Sequence, residues 1–207
     1  GGIAASVGTV SGTSITFGSQ TQFENDALTN ILDCVYDVAS GKVVIAYPDS
    51  GSSNYGKAIV GTVSGTSISF GTPVTFQSST VINTNLAYDA VSEKTVVIYT
   101  KTSNNRGTAN VGTVSGTSIS FGSPVEFETG STQDLAIAYD ASQEKVLIGF
   151  RDGGDSDQGK AIVGTVSGTS ISFGTAAIFN AALTTTISAA YHSSAQKVVF
   201  IYRDGSQ

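Results

Sequence analysis

Apolar residues along this chain fall into short runs of two kinds, separated by polar turns. One kind is continuous, as in residues 95–99, which are Thr, Val, Val, Ile and Tyr. The other kind alternates, as in residues 119–127, where large apolar side chains share one parity. A continuous run predicts a strand buried on both faces, whereas alternation predicts a strand with one exposed face. No segment shows a helical period, so the pattern predicts an all-β protein.

These runs belong to an internal repeat. The motif Val-Gly-Thr-Val-Ser-Gly-Thr-Ser-Ile-Ser-Phe-Gly begins at Val60, Val111 and Val163, and at Val7 with Thr16 in place of the last Ser. Successive copies are 53, 51 and 52 residues apart, and the distance from the last copy through the chain ends to the first is 51 residues. Four whole periods without a remainder are the arithmetic of a closed ring of similar units.

Each unit contains four predicted strands, which we name A to D. In the second unit they are A at 85–89, B at 95–99, C at 109–114 and D at 119–127. The Ser-Gly turn between C and D suits a two-residue hairpin, because Gly tolerates a positive φ. Pro73 and Pro124 fall within D strands. Proline is tolerated in a sheet mainly at an edge, so D is predicted to be the outer, edge strand.

Four antiparallel strands in about 50 residues describe one blade of a β-propeller. The predicted fold is therefore a single domain, 1–207, that forms a four-bladed propeller; a β-trefoil or a solenoid fits the period less well. The predicted blades are 24–76, 77–127, 128–179, and a fourth made of 180–207 plus 1–23. The fourth blade would be closed by pairing of the N-terminal strands with the last strand of the chain.

Composition and charge exclude several classes of partner. The net charge is −6, with only 10 Lys and Arg, which disfavours nucleic acid as a partner. No apolar run approaches the roughly 20 residues of a membrane span, so we expect no membrane insertion. The single cysteine, Cys34, excludes an intrachain disulfide and is expected to be buried in an inner strand.

The loops sort into two sets. The C-to-D turn is Ser-Gly-Thr-Ser in every unit, and the A-to-B turn keeps a Lys (42, 94, 145, 197) near Asp37, Asp89, Asp140 or His192. We interpret these as turn chemistry with an exposed ion pair. The B-to-C loops (48–55, 100–106, 151–157, and a fourth split between 203–207 and 1–2) and D-to-A loops (24–30, 77–84, 128–133, 180–186) differ between units. Variable loops on a rigid scaffold are where binding residues are found, so they define a predicted ligand face.

Candidate ligand-binding residues lie in the B-to-C loops. Tyr offers an apolar platform, and Asp, Arg and Lys offer the hydrogen bonds that a sugar would use. The candidates are Asp49, Tyr55, Lys101, Arg106, Arg151, Asp152, Arg203 and Asp204. The absence of Trp, the best platform for a sugar ring, weakens this interpretation.

No catalytic residue is predicted, and an enzyme is not expected. His192 stands where other units have Asp, so it is interpreted as a turn substitution. A carbohydrate-active enzyme using Asp49, Asp152 and Asp204 is the less favoured alternative. Asp152, Asp155 and Asp157 crowd one loop and form a weak candidate calcium site, although their spacing is not that of an EF-hand. No other cofactor is expected.

The four motif copies, with the Ala-Tyr-Asp and Val-Val-Ile elements, resemble propellers built from nearly identical blades, such as repetitive lectin propellers and phage or bacterial surface adhesins. The resemblance covers the whole chain and implies a noncatalytic module that binds glycans or cell surfaces, located outside the cell or on a virion or cell surface. A structural or assembly domain of a larger surface or virion protein is the alternative. A monomer is favoured, with a strand-swapped or eight-bladed dimer also open.

Overall fold

The computed structural model describes residues 2–26 and 32–205, and these residues form an all-β, antiparallel protein. Four short strands precede the first unit: β1 (Ile3–Ala5), β2 (Gly8–Ser11), β3 (Ser14–Phe17) and β4 (Thr21–Glu24). Within the described ranges the only helical element is a 3₁₀ turn at Ser50–Ser52. No helix in those ranges has the length and apolarity needed to cross a membrane. The all-β prediction is confirmed.

The remaining fifteen strands follow the repeat. The first unit contains β5 (Asp33–Asp37), β6 (Lys42–Asp49), β7 (Tyr55–Ser64), β8 (Ser67–Phe70) and the start of β9 (Val74–Asp89). The second contains the end of β9, β10 (Lys94–Lys101), β11 (Arg106–Ser115), β12 (Ser118–Phe121) and β13 (Val125–Glu126). The third contains β14 (Thr132–Asp140), β15 (Lys145–Asp152), β16 (Gln158–Ser167), β17 (Ser170–Phe173) and the start of β18 (Ala177–His192); β18 then pairs with β19 (Lys197–Asp204).

The B strands β6, β10 and β15 lie between an A strand and a C strand, as their continuous apolar runs predict. The B-to-C register is the same in each unit: Val43 pairs with Gly61, Thr95 with Gly112 and Val146 with Gly164. The apolar side chains of these strands are almost completely buried. They pack on both faces because neighbouring units cover them, and this confirms the predicted position of B.

The D strand differs from the prediction because it is two strands rather than one. Residues 71–73 and 122–124 interrupt it, so Pro73 and Pro124 lie in the break and remove no ladder hydrogen bond. Gly71 is required in this break, because a Cβ there would lie 1.8 Å from the backbone oxygen of Thr117 in the next unit. The first half of D pairs only with C at the sheet edge, which agrees with the predicted edge position.

The D-to-A segments also differ from the prediction. Residues 77–84 and 180–186 are not loops but continue the long strands β9 and β18 from one unit into the next. The two halves of each long strand pair with different neighbours, C behind and B ahead. The result is one nine-stranded and one six-stranded sheet, together with the two N-terminal pairs. Most of the predicted loop 24–30 lies outside the described residues.

Successive units pack through their A strands and through a repeated group of aromatic rings. Strand β5 lies against β9, β9 against β14, and β14 against β18. At each of three steps a D-strand Phe contacts a B-strand aromatic ring and a Phe of the next unit. These groups are Phe23 with Tyr47 and Phe70, Phe76 with Tyr99 and Phe121, and Phe127 with Phe150 and Phe173. The hydrophobic core is therefore a series of similar interfaces between units.

The predicted closure of the fourth blade is not formed in this structure. The N-terminal strands pair with each other, β1 with β4 and β2 with β3, and β19 pairs with β18. Among the described strands, no pairing joins β19 to β1 or β2. The two parts of the predicted fourth blade are half-blades: β1–β4 at the N terminus and β18–β19 at the C terminus. The N-terminal half-blade packs on the first unit, through Ile3 and Phe23, and the C-terminal half-blade pairs with the third unit. The two half-blades therefore lie at opposite ends of the row formed by the three units.

Candidate functional site

The B-to-C loops and the D-to-A segments, which form the predicted ligand face, are joined to one another at one end of the strands. Backbone hydrogen bonds tie each B-to-C loop to the adjacent D-to-A segment. They run from Val81 N to Asn54 O, Thr102 N to Thr80 O, Thr132 N to Asn105 O, Gly153 N to Ser131 O and Thr184 N to Asp157 O. The loops are therefore fixed to the strands that carry them, and their side chains have defined positions.

A pocket of about 330 Å³ opens where three successive A strands begin. Its walls carry amide, carboxylate and hydroxyl groups together with two aliphatic side chains. The lining residues are Asn83, Asn85, Asp134, Leu135, Thr186 and Ile187. We call this the axial pocket, because it lies between β9, β14 and β18, the strands that pack side by side through the row.

The pocket is built from three equivalent β-bulges. The register of the A-to-B pairing shifts beside residues 83–84, 134–135 and 186–187. In each bulge one residue has a left-handed backbone: Asn83 at φ 55°, Asp134 at φ 50° and Thr186 at φ 55°. This conformation is costly for a β-branched residue such as Thr186. Bulges re-aim side chains and are common beside functional sites, which makes the axial pocket the leading candidate.

Asp134 is the charged group of the axial pocket and is fixed from two sides. Its Oδ1 accepts a hydrogen bond from the backbone N of Thr186 at 3.1 Å. Its Oδ2 lies 2.9 Å from Nε of Arg151. The Arg151 guanidinium also contacts Gln133 and, at 3.5 Å, Asp157. Arg151 therefore sets the position of a pocket carboxylate, which connects one sequence candidate to the pocket.

Asp49 is buried at the end of β6 rather than open to a ligand. It pairs with Lys57 across the B-to-C hairpin and accepts a hydrogen bond from the backbone N of Gly51 at 3.0 Å. Burial alone raises the pKa of Asp49, but Lys57, Ser52 and Gly51 together lower it below its usual range. Tyr55 begins β7, pairs with Asp49 in register, and is half-buried.

Lys101 and Arg106 of the second unit converge on one acid, Glu126. Nη1 of Arg106 lies 2.7 Å from its Oε2, and Nζ of Lys101 lies 3.5 Å from its Oε1. The Arg106 hydrogen bond is the main cause of the lowered pKa of Glu126. Here, too, the charged candidates hold a loop in place.

The acidic loop of the third unit is organised by Lys160. Its Nζ donates to Oδ2 of Asp152 at 2.7 Å and to Oδ2 of Asp155 at 2.8 Å. The hydrogen bond to Asp152 is the main cause of the raised pKa of Lys160. Asp157 instead contacts Arg151. The calcium site stays a prediction, and the ammonium group of Lys160 already pairs with two of its three carboxylates.

One other acidic group lies within the described ranges. Carboxylate oxygens of Glu24, Asp26 and Asp49 come within 4.8 Å of one another, and in those ranges no other trio of possible metal ligands does so. Because Lys57 already pairs with Asp49, we assign no metal there. The last candidates, Arg203 and Asp204, end β19 opposite Thr185 and Thr184. Of the predicted fourth B-to-C loop, 203–207 and 1–2, residues 206, 207 and 1 lie outside the described residues.

The A-to-B turns on the opposite face confirm the turn chemistry but not the ion pair. Oδ1 of Asp37, Asp89 and Asp140 accepts a backbone hydrogen bond three residues on, and Nδ1 of His192 does the same from Ala195 N at 3.1 Å. His192 is therefore a turn residue, as predicted. Lys42 instead donates to Thr62 Oγ1 at 3.0 Å. Lys94 and Lys145 each donate to the carbonyl of the preceding residue, so the predicted ion pairs are wrong.

The prediction for Cys34 is also wrong, because this thiol is exposed. Its strand, β5, has a neighbouring A strand on one side only, so the face that carries Cys34 and Tyr36 remains open. Partial burial of the sulfur, followed by the charge of Asp33, raises the pKa of Cys34. The side chain is therefore accessible but weakly ionised.

Sequence reasoning missed Lys57, Lys160 and the bulge residues of the axial pocket. A signal for the two lysines is present in the repeat. Two of the three units with Asp at the end of B, those of Asp49 and Asp152, have Lys at the matching place in C. The unit of Asp204 has Ala4 there, and the unit with Lys101 has Thr108. No comparable sequence signal marks the bulges, because Asn83, Asp134 and Thr186 differ in type.

Together these contacts define a polar surface with fixed loops on a repeated all-β scaffold. The pocket offers hydrogen-bond donors and acceptors, with Leu135 and Ile187 as apolar walls. Comparison with known proteins finds no family model and no characterised relative that matches the chain. Its function is therefore argued from the surface itself.

Proposed function

We propose that the chain is a noncatalytic recognition module that binds a hydroxyl-rich ligand, such as a surface glycan, on its loop face. The observation that carries this proposal is the axial pocket. Its amide, carboxylate and hydroxyl side chains can pair with several ligand hydroxyls, and its aliphatic walls can contact the carbon-bound hydrogens of a sugar ring. The pocket groups are fixed before binding, which lowers the entropy cost of association.

The charged loop residues favour recognition over catalysis. Glycoside hydrolysis needs two carboxyl groups whose different environments make one an acid and the other a base. Asp49 and Asp152 instead have similar environments, since each is buried and paired with a lysine. Such pairs fix the loops, so the carbohydrate-active enzyme has little support.

The proposal includes four propeller blades per chain, the fourth made of the strands at the two chain ends. Three units share strand order, register and packing between units, and the N-terminal strands repeat the C-to-D pairing of an intact unit. Ala5 pairs with Thr21 as Ala58 pairs with Val74, and Gly8 pairs with Phe17 as Gly61 pairs with Phe70. The fourth blade is completed when the free edge of β1 and β2 pairs with the free edge of β19.

A ligand screen followed by titration tests the recognition proposal. Asn83→Gly removes the pocket amide but keeps the left-handed backbone that glycine adopts readily. We expect it to weaken binding of a glycan found on an array at least tenfold by isothermal titration calorimetry. Gln196→Gly is the matched control, because Gln196 has φ 54° in an A-to-B turn on the opposite face. Unchanged binding by Asn83→Gly, or no binding to any glycan, would contradict the proposal.

An assembly role is the second candidate, and it is favoured by one observation. Large apolar side chains are exposed on both half-blades, among them Phe17 and Ile201. Exposed apolar strand edges are unusual in monomeric proteins and mark interaction surfaces.

A further inference from the structure

We propose that the two half-blades dock onto a second copy of this chain, head to tail, so that β19 of one copy pairs with β1 and β2 of the other. This rests on the proposed propeller blade, and it names the chain that completes it. The evidence comes from three intact units, which show position by position what the two open ends lack.

The first observation is burial at equivalent positions. Ile15 of the N-terminal hairpin is 54% exposed, whereas its equivalents Ile68, Ile119 and Ile171 are buried. On β19, Ile201 is 65% exposed, whereas its equivalents Ala46 and Ile98 are fully buried. The same positions of the repeat are therefore covered in every intact unit and uncovered at the two ends.

The second observation is an incomplete aromatic group. In three steps of the row, a D-strand Phe contacts a B-strand ring and a D-strand Phe of the next unit. At the C-terminal end Phe179 contacts two rings of β19, Tyr202 at 4.9 Å and Phe200 at 5.6 Å, and among the described residues it contacts no Phe of a following D strand. The position that supplies the third ring elsewhere, Phe70, Phe121 or Phe173, corresponds to Phe17 in the N-terminal hairpin. Phe17 is 65% exposed. The missing ring is thus at the other end of the chain.

The third observation is an uncovered glycine. The backbone oxygens of Thr66, Thr117 and Thr169 press against Gly18, Gly71 and Gly122, so closely that a Cβ on any of the three would clash. At the equivalent Gly174 nothing lies closer to a Cβ than its own unit's Val163 oxygen at 3.9 Å. The residue that would cover Gly174 is Thr13, in the same hairpin as Phe17. Backbone packing and ring packing therefore identify the same partner.

The two ends of one chain are not placed to pair with each other. The N-terminal half is held on the first unit by Phe23, which contacts Tyr47 and Phe70. The C-terminal half is held on the third by pairing of β18 with β16. Both halves already occupy the positions that whole blades use, so a second copy can meet each end without moving either. The contact joins two different surfaces, the edge of β1 and β2 on one copy and the edge of β19 on the other. When two copies make this contact at both of their ends, they close a ring of eight blades.

The intact hairpins fix the register of the contact. Val43 pairs with Gly61 and Ala46 with Ala58, so Val198 should pair with Gly8 and Ile201 with Ala5 of the second copy. Cysteines at opposed positions of neighbouring strands fall within disulfide distance. The exposed Cys34 is replaced by Ser in all variants, so that it cannot form the bond.

The test mixes two single variants, Ile201→Cys and Ala5→Cys, under mild oxidation. We expect a disulfide between the two chains on a non-reducing gel. Ile201→Cys mixed with Ala4→Cys, whose side chain points to the other face of the sheet, should give at least tenfold less product. An absent Ile201–Ala5 product overturns the proposed pairing. A further variant carries Ile201→Cys and Ala5→Cys in the same chain. If it forms an intrachain disulfide at the mass of a single chain, the pairing with a second copy is overturned and closure within one chain is supported.

Solution mass provides a test without disulfides. We expect light scattering to give twice the chain mass, or a higher multiple for an open row, and the mass of one chain would overturn the proposal. Phe17→Ser should raise the dissociation constant at least tenfold, as loss of a buried aromatic anchor does. Val91→Ser is the control, because Val91 is equally exposed but lies in an A-to-B turn. Glycan binding at the axial pocket uses strands of one chain, so it survives failure of this proposal.

Discussion

Lys160 is expected to hold the acidic loop of the third unit, and Lys160→Met removes its charge while keeping its length. Asp152 is only 4% exposed and would retain the backbone hydrogen bond from Gly154 but lose its cation. Removing one partner of a fully buried pair costs about 3–5 kcal/mol, and of an exposed pair about 0–1 kcal/mol. Since 16% of the Lys160 side chain is exposed, we expect a loss of about 2–3 kcal/mol in the free energy of unfolding.

Urea unfolding at pH 7, followed by circular dichroism, measures this loss. Asp152→Asn and the double variant with Lys160→Met complete a double-mutant cycle, which isolates the energy of the pair. The double variant should be more stable than Lys160→Met alone, because it leaves no buried carboxylate without a cation. Lys145→Met is the control, since Lys145 contacts only the carbonyl of Glu144 within the described part of the chain. A change below about 0.5 kcal/mol for Lys160→Met would refute the reasoning, because that is the range of ordinary surface substitutions.

Three further predictions concern backbone packing, pH and the thiol. Gly122→Ala should destabilise the protein in urea, because its Cβ would lie 1.9 Å from the Thr169 oxygen. Gly174→Ala should leave the stability of a single chain unchanged. It should weaken dimerisation by blocking Thr13 of the second copy, which lowers the average mass measured by light scattering. Hydrogen bonds and cations lower the pKa values of Asp49 and Glu126, so the stability they contribute is complete above the ordinary values of 3.8 and 4.5 and is lost as the pH falls through the lowered values. Burial raises the pKa of Asp33, so this carboxyl group contributes stability that increases as the pH falls. We expect the loss at Asp49 and Glu126 to be larger, so unfolding midpoints measured against pH should show a net loss of stability in acid. Constant stability in acid would contradict this. Cys34 should react with a thiol reagent in the native protein, more slowly than free cysteine at pH 8, and complete protection would contradict its exposure.

Much of the scaffold could be predicted from the sequence because the repeat states the same pattern several times. The continuous run at 95–99 predicts a central strand, and the structure places β10 between β9 and β11. The alternating run at 119–127 predicts an edge, and β12 lies there. Strand type was therefore predictable wherever burial alone decides it.

The axial pocket could not be predicted in the same way. Its bulges require a left-handed backbone at Thr186, which local propensity opposes and only the surrounding pairing maintains. The D-to-A segments look like polar loops in the sequence, but pairing on both sides makes strands of 77–84 and 180–186. The repeat also could not predict whether the row of units closes into a ring. Equal spacing fixes the number of units, but it does not say whether the two ends pair with each other or with another chain.

The proposed assembly and the proposed recognition use different positions of the repeat: assembly uses the constant ones and recognition the variable ones. The contacts between units use the same rings and glycines at every step, so each end fits any copy of the chain. The loop pairs use different charges in equivalent places: Asp49 with Lys57 in one unit, Lys101 and Arg106 with Glu126 in the next, and Asp152 with Lys160 in the third. Each arrangement fixes its loop, but the charges at the B-to-C end of the strands change from unit to unit. If this face binds a ligand as proposed, ligand preference can change through these pairs without altering the interfaces that hold the units together.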